Sequence, residues 1–121
     1  MKIIKKSHKT LVREDAHGGS GGRKLLLADN EIKNVQGMTY GFLPASAKFA
    51  WHMHEKMNEV MLVLKGQGTV RDEDGVYSYS AGDVFVFPEG VFHEIENISN
   101  EEHEYIFVRI YEYNKKEIRL L

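Results

Sequence analysis

Two histidines two residues apart, His52 and His54, followed five residues later by Glu59, are the residues best suited to do chemistry. An extended strand sends residues i and i+2 to one face, roughly 6.6 Å apart along its axis. A short turn then lets Glu59 enter the same site from the next strand. Neutral imidazoles with one carboxylate suit Fe, Mn, Ni, Co or Zn and lack the thiolates of a softer site. A third histidine, His93, lies within Gly82–Asn97, a segment that reads as strand, Pro-x-Gly corner, strand. Four inward ionisable groups without an ion between them would be costly in a low-dielectric interior. The expectation is therefore one divalent transition metal (Fe, Mn, Ni or Zn) held by His52, His54, Glu59 and His93. Three histidines and one carboxylate leave positions open on a five- or six-coordinate ion, as a catalytic metal requires. Glu59 is in addition the candidate catalytic base.

These spacings resemble the two motifs of the cupin superfamily. The first, glycine, five residues, His-x-His, four residues, Glu, six residues, Gly, is met by His52, His54, Glu59 and Gly66; Ser46 stands where it opens with glycine. The second, Gly, five residues, Pro-x-Gly, two residues, His, three residues, Asn, is met in full by Gly82, Pro88, Gly90, His93 and Asn97. The resemblance implies an all-β double-stranded β-helix, a small jelly-roll barrel with its site in the mouth. It also implies several chemistries on such a site: manganese enzymes acting on oxalate, metal-dependent dioxygenases, sugar-phosphate isomerases, and lyases or cyclases. None is selected by the residues here. A non-enzymatic metabolite-binding or sensor protein is the reading from another class.

The elements that must carry these residues are short. At 121 residues the chain is long enough for one buried core. From Val35 onward, strand-like runs alternate with Gly and Pro corners: Val35 to Leu43, Lys48 to His54, Glu59 to Leu64, a hairpin around Asp74-Gly75, Val84 to Phe87, Val91 to Asn97 and Glu104 to Tyr113. This divides the chain into an arm and glycine-rich loop packed on the barrel (1–34), the barrel (35–113) and a tail (114–121). In the strand Lys48 to His54, Phe49, Trp51 and Met53 are expected on the face opposite the histidines.

Ala16 to Gly22 holds four glycines and reads as a flexible loop, able to close over the site as a flap. A phosphate cradle is disfavoured because a strand, not a helix, follows. His17 within it could reach the mouth of the barrel but reads by default as a solvated loop residue, and His8 and His103 read as surface residues. Arg109, Tyr40 and Met57 are the candidate substrate contacts. Arg109 is a charge flanked by apolar residues, apt for a carboxylate or phosphate, or else turned outward to pair with Glu94 or Glu104. The remaining aromatics read as core.

Composition narrows the partners. A net charge of −2 with 28% charged residues gives no reason to expect nucleic acid or an anionic membrane. The absence of cysteine excludes disulfides and thiolate catalysis. The lysine-rich start lacks the apolar region of a signal peptide, so a cytoplasmic protein acting on a small molecule is expected. The apolar ends, Ile3, Ile4, Leu120 and Leu121, suggest a homodimer or packing back onto the same subunit.

Overall fold

A computed structural model describes residues 2–112. Ten strands follow in chain order: β1 (Glu14–Ala16), β2 (Gly21–Leu27), β3 (Val35–Leu43), β4 (Lys48–His52), β5 (Met57–Lys65), β6 (Gly68–Arg71), β7 (Val76–Tyr79), β8 (Val84–Phe87), β9 (His93–Glu96) and β10 (His103–Tyr111). They form two antiparallel sheets, one ordered β1-β2-β3-β10-β5-β8 and the other β4-β9-β6-β7. This is the jelly-roll barrel expected from the motifs.

Period-two alternation decides what faces the interior. On β5, Glu59, Met61 and Val63 are buried; on β10, His103, Tyr105 and Phe107 are. With Leu43, Phe49, Phe87 and Ile95 these apolar side chains form one core between the sheets. Each contributes roughly 1.5–3 kcal/mol of transfer free energy. The same inward rows carry polar groups at both ends of the barrel. β5 and β10 pair Glu59 with Arg109 at one end, and the β10 row ends on the buried His103 at the other.

Several turns explain the motif residues that do no chemistry. Ser46, where the motif opens with glycine, adopts a left-handed φ of 61°, so the chain makes the glycine-type turn without a glycine. Gly66 has a left-handed φ of 107°, and a Cβ there would also collide with the His103 ring. Asn97 is fully buried, and its amide donates to the carbonyls of Leu43 (3.0 Å), Pro44 (3.0 Å) and Glu101 (2.7 Å). It fastens the corners at one end of the barrel and takes no part in the site. Asp72 closes the hairpin before β7 by accepting from the amides of Asp74 and Gly75.

Three expectations are corrected. The glycine-rich segment is not a loose loop: His17–Gly19 is one 3₁₀ turn, and Gly21 and Gly22 begin β2 as buried residues. They sit there because the Phe49 ring and the Arg13 guanidinium occupy the space a Cβ would need. Within residues 1–34, β2 pairs along β3 and extends the larger sheet, in keeping with the strand expected after the glycines. Phe49 does not share a face with Trp51. The pairing of β4 with β9 slips between Phe49 and His52, and this bulge turns Phe49 inward with His52 and leaves Trp51 outside. His103 is buried rather than at the surface.

The arm before β1 is held from outside, by Lys6 on Glu31 (2.6 Å) and the Leu26 carbonyl (2.9 Å) and by Lys24 on the His8 carbonyl (2.8 Å). Ile3 and Ile4 stand exposed on it rather than packing on their own subunit. Leu120 and Leu121, and with them the tail 114–121, lie outside the described residues. Among the described residues, no helix is long and apolar enough to cross a membrane.

Candidate metal centre

The two motifs are pinned to each other before they meet at the site. The Gly90 amide donates to the His54 carbonyl (3.0 Å), the Lys56 amide to the Glu89 carboxylate (3.0 Å), and the Glu89 amide to Asn58 Oδ1 (3.0 Å). The Pro-x-Gly corner is thus tied to the segment between β4 and β5. His52, at the end of β4, faces His93, at the start of β9, as its register partner. His54 follows β4, and Glu59 enters from β5. One donor atom from each of His52, His54, Glu59 and His93 lies within 4.8 Å of the others. Glu59 Oε1 is 3.4 Å from His54 Nε2 and 3.7 Å from His93 Nε2.

Backbone carbonyls orient two of the rings. His52 Nδ1 lies 2.6 Å from the Ala50 carbonyl, and His93 Nδ1 lies 3.0 Å from the Val91 carbonyl. A carbonyl only accepts, so each Nδ1 carries the hydrogen, and each neutral ring turns the lone pair of Nε2 into the site. This arrangement is the usual support of a metal-binding histidine. His54 Nε2 and His93 Nε2 are buried with no hydrogen-bond partner among the described residues. Buried polar atoms left without partners are costly, and a metal ion accepting their lone pairs would satisfy both. The donor set fits a divalent transition metal.

The charges agree with that fit. Burial opposes ionisation of Glu59, but the facing His54 and His93 rings and the Arg109 guanidinium outweigh it and hold its carboxyl far below the usual range. Burial also lowers the His52 pKa, favouring the neutral ring that can ligate.

Arg109 is turned inward, not outward toward Glu94 or Glu104. Its Nε donates to Gln36 Oε1 at 2.6 Å and its Nη1 to Glu59 Oε2 at 3.3 Å. Glu59 therefore shows one oxygen to the histidines and the other to Arg109. Glu104 is taken instead by the Tyr40 hydroxyl (2.5 Å). Tyr40 lies on the side of β3 away from the site, stacked on Phe42, while its neighbours Thr39 and Gly41 line the cavity. The structure thus separates it from the other candidate substrate contacts. Met57 and Arg109 both line the cavity, an open space of about 690 Å³ that His52, His54 and Glu59 also line.

Sequence reasoning gave His17 as a solvated loop residue able to reach the mouth; it is exposed and does reach it. Its ring reaches the cavity, stacked on Phe49 with centroids 4.3 Å apart, and burial, with the nearby His52, lowers its pKa to about 4. The signal lay in the glycines that follow it, which allow a tight corner and a close approach to Phe49. His8 is exposed on the arm, beside the outer ring of Tyr40.

Comparison with known proteins agrees with the fold. The cupin domain family model matches residues 39–109, so this chain belongs to the cupin family. An uncharacterised protein of Methanocaldococcus jannaschii is 31% identical over 101 residues, covering 83% of this chain and 80% of the relative. The oxalate-binding protein of Thermotoga maritima is 34% identical over 68 residues, 56% of each chain. The crystal structure of a predicted oxalate decarboxylase from Thermotoga maritima superposes with a TM-score of 0.83 at 24% identity, covering 89% of this chain and 99% of that one.

Proposed function

We propose that this cupin binds one divalent transition metal through His52, His54, Glu59 and His93 and acts on a small oxygenated metabolite, a carboxylate able to chelate the ion. The observation that carries this reading is the pair of buried Nε2 atoms of His54 and His93, unpartnered among the described residues and facing Glu59, which with His54 lines an open cavity. A bound metal would supply Lewis-acid or redox chemistry. The chain's own contributions are distinct from that. His52 and His93 are held in one tautomer by carbonyls, and Arg109 restrains Glu59. Phe49, Ile95 and Phe107 line the cavity with apolar surface and exclude water from part of it. Arg109 has further N–H groups with which to meet a carboxylate, and Met57 would contact the ligand from the rim.

The reaction we favour is a dioxygenase or a non-redox isomerase or lyase step. Glu59 is the candidate base for any proton-moving reaction, and Glu59→Gln separates its two roles. Metal retained with turnover lost marks a base; metal lost marks a ligand. A second reading, binding without turnover, is favoured by the name of the oxalate-binding relative.

Elemental analysis of tag-free protein purified without chelator tests the metal. Near-stoichiometric iron, nickel, manganese or zinc in the wild type is expected. A protein that takes up none of these even on reloading refutes the reading. Incubation of loaded protein with oxalate and other small carboxylates, with and without oxygen, then distinguishes turnover from binding. We further propose that the chain functions as a homodimer, with the exposed Ile3 and Ile4 in the contact. Sedimentation equilibrium giving a monomer at micromolar concentration would contradict that.

A further inference from the structure

His17 stands outside the four-residue cluster, and its place over the cavity is built rather than incidental. Three successive residues turn the chain there in the left-handed region, His17 at φ 50°, Gly18 at 66° and Gly19 at 91°. Glycine accepts this freely, whereas histidine adopts it only when its surroundings hold it. Ser20 fastens the corner, its amide (3.3 Å) and hydroxyl (2.8 Å) both donating to the His17 carbonyl. The ring lies on Phe49 and meets His52 edge-on, with centroids 5.4 Å apart. Behind Phe49, Gly21 leaves room that any side chain would fill. Gly21, Phe49, His17 and His52 thus form one packed column from β2 to the metal centre.

The ring supplies no donor to the group of four atoms within 4.8 Å. Neither of its nitrogens has a hydrogen-bond partner among the described residues, although the ring lines the cavity. A polar ring fixed by stacking, with its nitrogens uncommitted, is prepared to bind something that enters the cavity.

Resting on the functional reading above, we propose that His17 is the ligand-contacting residue on the open side of the metal centre. It donates a hydrogen bond to a carboxylate oxygen beyond those that meet the metal, and so selects ligands that carry such an oxygen. Oxalate, with two oxygens left over when it chelates, is the simplest probe, and acetate, with none, is its control.

The test is calorimetric titration of oxalate and acetate into the manganese-reloaded full chain, with metal content measured for every variant. His17→Phe keeps the stack on Phe49 and removes the donor; His17→Asn restores a donor. Gly19→Ala, at a position with open space around it, disturbs the corner and leaves the imidazole in place. Expected are unchanged manganese in all three, oxalate affinity weaker by about 10- to 100-fold in His17→Phe, partial recovery in His17→Asn, a weakening in Gly19→Ala, and no change for acetate. Wild-type oxalate affinity in His17→Phe, or equal loss for acetate, overturns the proposal. Manganese lost from His17→Phe overturns it differently, by making His17 a metal ligand. Wild-type protein that holds manganese and ignores oxalate overturns the functional reading, and this inference with it.

Discussion

The barrel buries histidines at both ends, and the two ends treat them in opposite ways. His103 and Arg109 share β10 and lie six residues, about 20 Å, apart. At the His103 end every polar group finds a protein partner. Tyr79 Oη is 2.6 Å from both Tyr105 Oη and His103 Nδ1, and His103 Nε2 is 3.0 Å from Ser99 Oγ. Ser99 in turn donates to Asn97 Oδ1 at 2.7 Å. One direction of donation, from Tyr105 through Tyr79, His103 and Ser99 to Asn97, satisfies the whole chain. At the Arg109 end, His54 and His93 point buried nitrogens at a carboxylate and find no hydrogen bond. His93 and His103 are equally buried, yet the second has both ring nitrogens paired and the first, among the described residues, has one left over. Burial alone does not distinguish the two; the hydrogen-bond account does.

The largest effect that would sharpen this contrast is on the metal. His93→Ala should abolish stoichiometric metal and any turnover by the loaded protein, as read by elemental analysis and activity together. Activity that survives without metal would contradict the assignment. Next is Arg109→Gln, which releases the second oxygen of Glu59. Metal affinity should fall about 10- to 100-fold in competition with a chromophoric chelator, as for other residues that orient a ligand. Unaltered affinity would assign Arg109 to the substrate alone.

At the opposite end, Tyr79→Phe leaves His103 Nδ1 and the Tyr105 hydroxyl without their shared partner. Urea unfolding should show a loss of about 1–3 kcal/mol, with metal content unchanged; a fall in metal content would show that the two ends are not independent.

The smallest effect concerns acid. Burial lowers the His103 pKa, with Glu101 opposing and Lys65 reinforcing the shift. The unfolded chain therefore takes up this proton first as pH falls, and over that interval it binds more protons than the folded chain. The contribution to stability is full above about pH 6.5 and is lost as pH falls through the folded value. Stability of the metal-free protein, measured between pH 5 and 7.5, should depend less steeply on pH in His103→Gln than in the wild type. Identical slopes would remove His103 as a cause.

How far the sequence could be read follows from the kind of information each residue carries. His52, His54, Glu59 and His93 were legible because spacing along strands and around a Pro-x-Gly corner is local, and local spacing survives without a fold. The strand Val35–Leu43 was legible for the same reason. His103 and His17 were not, since flanking charge made one look exposed and flanking glycine made the other look solvated. The burial of His103 depends on Tyr79, and the place of the exposed His17 over the cavity depends on Phe49, both distant in sequence. Tyr40 could not be told from a cavity residue until the register of β3 was known, because a shift by one residue exchanges the two faces. Phe49 was misplaced by a bulge, which no periodicity announces.

By itself, then, the sequence determined the barrel class and the identity of the four donors, because short-range geometry and side-chain chemistry suffice for both. The tertiary structure alone decided which buried nitrogens remain unpaired, that Arg109 restrains Glu59, and that His17 overlooks the site. Those facts depend on where non-neighbouring chain segments cross, and on how many hydrogen bonds the crossing leaves unmade.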